Sequence, residues 1–403
     1  MTQTMIDIQP SPRILTVLGD IEFKEWQCVA ELVDNAFDDF LDIKRADLPW
    51  PNGFLASVTV PTMATAAQEA EIIVRDTGCG MDLDTLNDAV RAGWSSNDRF
   101  TKLGLFGIGF NIATARLGRV ARVVTTRPGD SEWVGIEIDL QAIAESEEFR
   151  APVVTEPKAN FNDHGTKVTV SQLKPTHVSW LQRNQTQLRN VLGDVYAYLL
   201  EQGGFKLTVN GVKVKPRRAC HWDETRAVTY GSGQNAEQIP AVIKIDHALP
   251  AMETCLNCRS WQAPGLGRCA ECGDDRLVAR PRRVHGWLGI QRYLHRTDFG
   301  VDFLRNGRKI LLRDKRAFEW QNPNDPLAAL NIEYPTELGP LRVVIECVRR
   351  NEPQRKALVL GRDGPALDDR RALETTAVAL EGILEDLRAR GLLCVTVSEL
   401  LVR

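Results

Sequence analysis

EFKEWQCVAELVDNAFDDF, residues 22–40, is the stretch on which the reading of the chain turns. Trp26, Val29, Ala30, Val33, Phe37 and Phe40 recur at i, i+3, i+4 and i+7 spacings, which line one apolar face of a helix. Glu31, Asn35 and Asp38 fall on a different face, spaced i, i+4 and i+7. A carboxylate and an amide one turn apart can hold a hydrated hard cation and orient a water molecule. Ordinary surface helices carry the same pattern, so the segments that follow decide what this one is for.

A chain of 403 residues suggests two or three domains. Its 43% hydrophobic and 26% charged residues exclude a disordered or fibrous class. The net charge is only −3, but between residues 201 and 320 Lys and Arg outnumber Asp and Glu by eight. Such asymmetry points to a surface that faces nucleic acid or a partner. There is no run of eighteen apolar residues, and MTQTMIDIQPSPR is not a signal peptide, so the expected location is cytoplasmic, with no membrane partner. Of nine cysteines, four form two CxxC pairs; Cys28, Cys79, Cys220, Cys347 and Cys394 are scattered. This fits a metal site plus buried thiols better than a disulfide framework.

In chain order, residues 1–20 read as a polar arm in which PSPR interrupts regular structure. A first domain covers 21–200. It begins with the helix, followed by strands near 55–60 and 71–75, a helix at 83–92, a long loop at 92–109 and a helix at 110–117. Strands at 119–126, 132–140 and 166–172 and a helix at 180–200 complete it. That order predicts an α+β fold, an α/β sandwich on a mixed sheet. A second domain, 201–365, opens on a hairpin turning at Asn210-Gly211. Strands follow at 284–290, 299–313, with a turn at Asn306-Gly307, and 342–348. The segment 366–403 reads as a C-terminal helix (368–390) and a short strand (392–397).

Three further segments carry chemistry. Asp76-Thr-Gly78-Cys-Gly80-Met81 follows a strand; its carboxylate can accept from an exocyclic amine, and its glycines let backbone approach a flat ligand. Gly104-Leu105-Phe106-Gly107-Ile108-Gly109 precedes a helix, where backbone N–H groups and the helix dipole favour phosphate. Gly165-Thr166 opens a strand, and the Thr hydroxyl can reach a ligand nitrogen or a bound water. Each is an ordinary turn or loop end when met alone.

Together and in this order, the four segments resemble the GHKL ATPases, the superfamily of gyrase, the heat-shock chaperones, the histidine kinases and MutL. The resemblance covers residues 22–172 and implies the Bergerat ATP-binding fold. By match to the boxes, Glu31 would be the general base that activates water and Asn35 would coordinate Mg2+; Asp38 would be either an acid supporting these two from behind or an acid on the nucleotide side. Asp76 would receive the adenine amine, with Gly78, Gly80 and Met81 beside the ring and Thr166 supporting it. Lys102, Gly104, Leu105, Phe106, Gly107, Ile108, Gly109 and Phe110 would enclose the phosphates, with 94–106 as a lid. The presence of Glu31 favours hydrolysis over phosphotransfer to protein, which argues against a sensor kinase.

Residues 300–320 and 339–357 resemble the transducer domain of Morc ATPases and their prokaryotic relatives. The resemblance implies a transducer lysine that reaches the γ-phosphate; Lys315 is the best match and Lys309 the alternative. Within 250–280, Cys255, Cys258, Cys269 and Cys272 have the spacing of a Zn2+ ribbon, which staples a loop with too little core of its own. KVKPRR (213–218), ARPRR (279–283) and RNGRK (305–309) surround it and suit a DNA backbone. The expected function is an ATP-gated homodimeric clamp that acts on double-stranded DNA or with further protein subunits. The alternative is a nucleotide-switched, chaperone-like interaction module that binds no DNA.

Overall fold

The computed structural model describes residues 10–45, 53–91, 103, 108–146, 148–221, 223–230, 234, 237–258, 260–290, 298, 300–314 and the backbone of 341–348. Two units divide the chain, residues 1–217 and 218–403.

In the first unit α1 (Ile14–Leu18) and α2 (Glu25–Arg45) lead into β1 (Phe54–Thr59), β2 (Ile72–Asp76), α3 (Leu83–Val90) and α4 (Gly109–Leu117). Next come β3 (Gly118–Thr126), β4 (Glu132–Asp139), α5 (Leu140–Ser146), β5 (Val153–Pro157) and β6 (Gly165–Leu173). The helices α6 (Pro175–Arg183), α7 (Gln185–Val195) and α8 (Ala197–Glu201) and the strands β7 (Phe205–Val209) and β8 (Val212–Lys213) complete it. The eight strands form one mixed sheet in the order β5-β4-β3-β6-β2-β1-β7-β8. Neighbouring strands are antiparallel except β1 and β7, which run parallel.

Strand β1 shows why the sheet has two unlike faces. Phe54, Ala56 and Val58 are buried, whereas Leu55 and Ser57 between them are half-buried, the alternation of a sheet covered on one side. Helix α2 supplies that cover. Phe37 stacks on Tyr196 at 4.6 Å and on Phe205 at 3.6 Å, and Phe205 stacks on Phe54 at 5.4 Å. Burying each such ring contributes roughly 1.5–3 kcal/mol. The apolar face expected from the sequence is therefore the core face, although Trp26 at its start is only half-buried.

Four sequence expectations change here. The second half of the arm is docked as α1, with Leu15 buried beside Ala121, Ile138 and Ile143. Pro12 lies just before the helix, where proline is tolerated, so PSPR starts structure rather than ending it. The single helix at 180–200 is three helices. Asn184 turns its side-chain amide back to the Trp180 carbonyl at 2.9 Å and interrupts the first of them. The polar edge strand β5 and helix α5 carried no pattern strong enough to read. Finally, the hairpin at Asn210-Gly211 belongs to the first sheet, because β7 pairs with β1, and the first unit runs to Arg217. The turn itself forms as read, with Asn210 and Gly211 at φ 47° and 74°.

The second unit contains β9 (Ala227–Tyr230) and β10 (Glu237–Pro240), paired with each other. It continues with β11 (Val242–Cys255), β12 (Trp261–Gln262), β13 (Leu277–Ile290), β14 (Gly300–Arg305), β15 (Arg308–Asp314) and β16 (Leu341–Val348). These last six form a sheet in the order β12-β11-β13-β16-β14-β15. Strands β14 and β15 meet at Asn306-Gly307, with φ 48° and 76°, as the sequence indicated. The expected helix 368–390 and strand 392–397 lie outside the described residues. Among the described residues no helix is long and apolar enough to cross a membrane.

Candidate functional site

Helix α2 presents its polar residues unequally. Asn35 is exposed, whereas Glu31, Asp34 and Asp38 are buried to within 6% of full enclosure. The Tyr196 hydroxyl lies 2.7 Å from Asp34 Oδ1 and 2.9 Å from the Ala30 carbonyl oxygen and donates between them, fixing the helix one turn from Glu31. One turn further on, Asp38 Oδ1 accepts the Leu103 N–H. An exposed amide one turn from an enclosed carboxylate fits a hydrated divalent cation at Asn35 beside a water-orienting acid.

Facing the C-terminal part of α2 is the loop at the end of β2. Asp76 Oδ1 accepts the Gly78 N–H at 2.8 Å and the Thr166 N–H at 3.1 Å, which joins the loop to the start of β6. The Thr125 hydroxyl accepts the Met81 N–H at 2.9 Å and donates to the Gly165 carbonyl at 3.1 Å. It also lies 3.2 Å from Thr166 Oγ1. His164 Nδ1 donates to the Gly78 carbonyl oxygen at 2.8 Å, and Asp39 Oδ2 accepts the Cys79 N–H at 2.7 Å.

The glycines are required by space. Gly80 has φ +71°, and a Cβ there would meet the Thr126 carbonyl oxygen at 2.0 Å. Gly165 has φ +109°, and a Cβ would lie 2.2 Å from the Asp76 carbonyl oxygen. Both positions let strands and loop approach more closely than any side chain allows. Burial pushes the Asp76 carboxyl up to about 7, and the nearby Asp39 adds to the rise; the Gly78 and Thr166 amides and Arg75 oppose it. The Cys79 thiol is pushed up to about 11, by burial first and then by Asp39.

Of the phosphate box, Ile108, Gly109 and Phe110 are described. Gly109 is the first residue of α4, and among the described residues no side chain caps that terminus, so its amides suit an anionic ligand. Lys102, Gly104, Leu105, Phe106 and Gly107 lie outside the described residues, as does Lys315. The alternative lysine, Lys309, is buried on β15 with its Nζ 3.0 Å from Asp302 Oδ2; Asp302 Oδ1 also accepts the Arg313 N–H at 2.7 Å.

The four cysteines converge in the connection between β11 and β13. Their sulfur atoms all lie within 4.8 Å of one another. Cys255 and Cys272 are 3.5 Å apart and Cys258 and Cys269 3.4 Å. A zinc tetrathiolate, with bonds of about 2.3 Å, has edges of roughly 3.8 Å, so the donor set fits. Ser260 Oγ is 3.0 Å from Cys269 Sγ and, ahead of the local backbone amides, pulls that thiol down to about 6. Burial pushes Cys255 up to about 11.

The sequence reading therefore found Asp76, Gly78, Gly80, Met81 and Thr166, which the structure brings together. It missed Asp39, Thr125, Thr126 and His164. Asp39 and His164 adjoin motif residues that were read. Thr125 and Thr126 end β3, and nothing local marked them.

Residues 22–169 match the family described as histidine kinase-, DNA gyrase B- and HSP90-like ATPase. Over 163 residues the chain is 26% identical to MORC family CW-type zinc finger protein 3 of Mus musculus. That alignment takes in 40% of this chain and 15% of the mouse protein.

Proposed function

We propose that this chain, whose N-terminal domain belongs to the GHKL ATPase superfamily on its Morc-like side, binds ATP with magnesium and hydrolyses it to drive a dimeric clamp. The observation that carries the reading is the Asp76 loop. A half-buried carboxylate is held at a strand end by two backbone amides, and the glycines around it let loop and strands pack closely about it.

In this reading Asp76 accepts the adenine amine, and Gly80 lies against the ring. Glu31 holds the attacking water and takes its proton, while Asn35 ligates the metal. Magnesium held at Asn35 would supply neutralisation of phosphate charge. The α4 amides, beginning at Gly109, receive phosphate. Lys315 is the lysine proposed for the γ-phosphate, since Lys309 is committed to Asp302. Zinc on Cys255, Cys258, Cys269 and Cys272 closes a small ribbon that has almost no core of its own. Residues 218–365 are the proposed transducer.

Double-stranded DNA is the proposed target, on the basic excess of 201–320. Phosphate release and molecular mass, each measured with and without duplex DNA at low salt, test this. ATP-dependent doubling of mass and DNA-stimulated turnover are expected. Dimerisation with no response to DNA would favour the chaperone-like module instead.

A further inference from the structure

We propose that Asp39 is the positioning residue of the adenine loop: carried on the catalytic helix, its carboxylate holds the Cys79 amide and so sets where Gly78 and Gly80 meet the base. This rests on reading Asp76–Met81 as the adenine site.

Successive amides of the loop go to different carboxylates. The Gly78 N–H is taken by Asp76 Oδ1 at 2.8 Å, within the loop itself. The Cys79 N–H is taken by Asp39 Oδ2 at 2.7 Å, from α2. Gly78 is gripped between the two acids. A Cβ there would lie 1.8 Å from Asp39 Oδ2 and 2.9 Å from Asp76 Oδ1, so only glycine fits while Asp39 keeps its place. Amide hydrogen bonds to carboxylates are short and strong, and this one ties the base-binding loop to the helix that bears Glu31 and Asn35.

The same placement puts a second negative charge beside Asp76. The groups that face Asp76 are Asp39 from α2, Arg75 from its own strand, the Cys79 thiol of its loop and, through the Gly78 carbonyl, His164. Asp39 makes Asp76 harder to ionise and Arg75 makes it easier. Asp39 therefore acts through Asp76 and the loop backbone and takes no part in the phosphate chemistry.

Calorimetry of the full chain with ADP tests the role. Wild type is expected to bind. Asp39→Ala is expected to bind about tenfold more weakly or worse, whereas Asp39→Asn, which keeps an oxygen acceptor, stays within about threefold. Gly78→Ala should weaken binding by displacing Asp39. Adding Asp39→Ala to it should then cost nothing further, because one contact is lost once. In Asp39→Asn the pH at which ADP affinity falls away should move lower. Should Asp39→Ala fail to fold, that pH shift carries the test, and its absence overturns the role. Wild-type affinity in Asp39→Ala beside an impaired Asp76→Asn also overturns it and leaves the adenine reading standing. Unchanged affinity in Asp76→Asn, or no ADP binding by wild type, removes the adenine reading and the role of Asp39 with it.

Discussion

At the residue scale the site is governed by one carboxyl group whose burial works against its charge. Asp76 keeps its proton up to about pH 7. An unfolded aspartate releases it near pH 4. Between those values the unfolded chain ionises while the folded one does not, so the contribution of Asp76 to stability falls as pH rises and levels off above 7. Under the adenine role proposed for Asp76, nucleotide binding has the opposite sign, because the ionised form would accept the adenine amine more strongly. ADP affinity is therefore expected to weaken as pH drops from 8 to 6, and Asp76→Asn to be weak and flat across that range. A wild-type affinity independent of pH would contradict the environment described for Asp76. The sequence showed this residue but not its setting. Asp76 and Thr166 are ninety positions apart, and only the pairing of β2 with β6 brings the Thr166 amide to the carboxylate.

At the element scale, what could be read was local. Helix α2, the two Asn-Gly turns and the four-cysteine spacing each follow from residues within a single short stretch of chain, and all appear where the pattern placed them. What escaped was non-local or locally contested. The parallel pairing of β7 with β1 leaves no trace in either strand, and the interruption at Asn184 depends on a side chain competing for its own helix. The cysteine connection gives a prediction at this scale. Between Cys255 and Cys272 the only strand among the described residues is the two-residue β12, far too little to fold unaided. The purified chain should carry one zinc, and Cys255→Ser or Cys269→Ser should lose it. Protease should then cut within 256–276 while the first unit keeps its unfolding transition. A metal-free chain that resists cleavage there would refute the ribbon. The sulfur separations support zinc as the occupant, and the low-lying Cys269 thiol is ready to bind it as thiolate.

At the scale of the whole molecule, two units with unlike sheets are joined near Arg217, and the family match with a known chemistry falls within the first. The four ordered segments from Glu31 to Thr166 are legible in the sequence because each is a short local pattern, and the family match spans them all. The second unit is less legible, because a basic surface and a transducer-like run define no chemistry by themselves. The central claim is that Glu31 turns nucleotide binding into hydrolysis. Removal of a general base typically costs about a hundredfold to ten-thousandfold in rate. The direct measurement is steady-state phosphate release from Mg-ATP by wild type and by Glu31→Ala, with ATP binding measured on both. Turnover by wild type, with binding retained and phosphate release lost in Glu31→Ala, is the predicted result. Equal turnover by the two proteins, or none by wild type while it binds Mg-ATP, would contradict it.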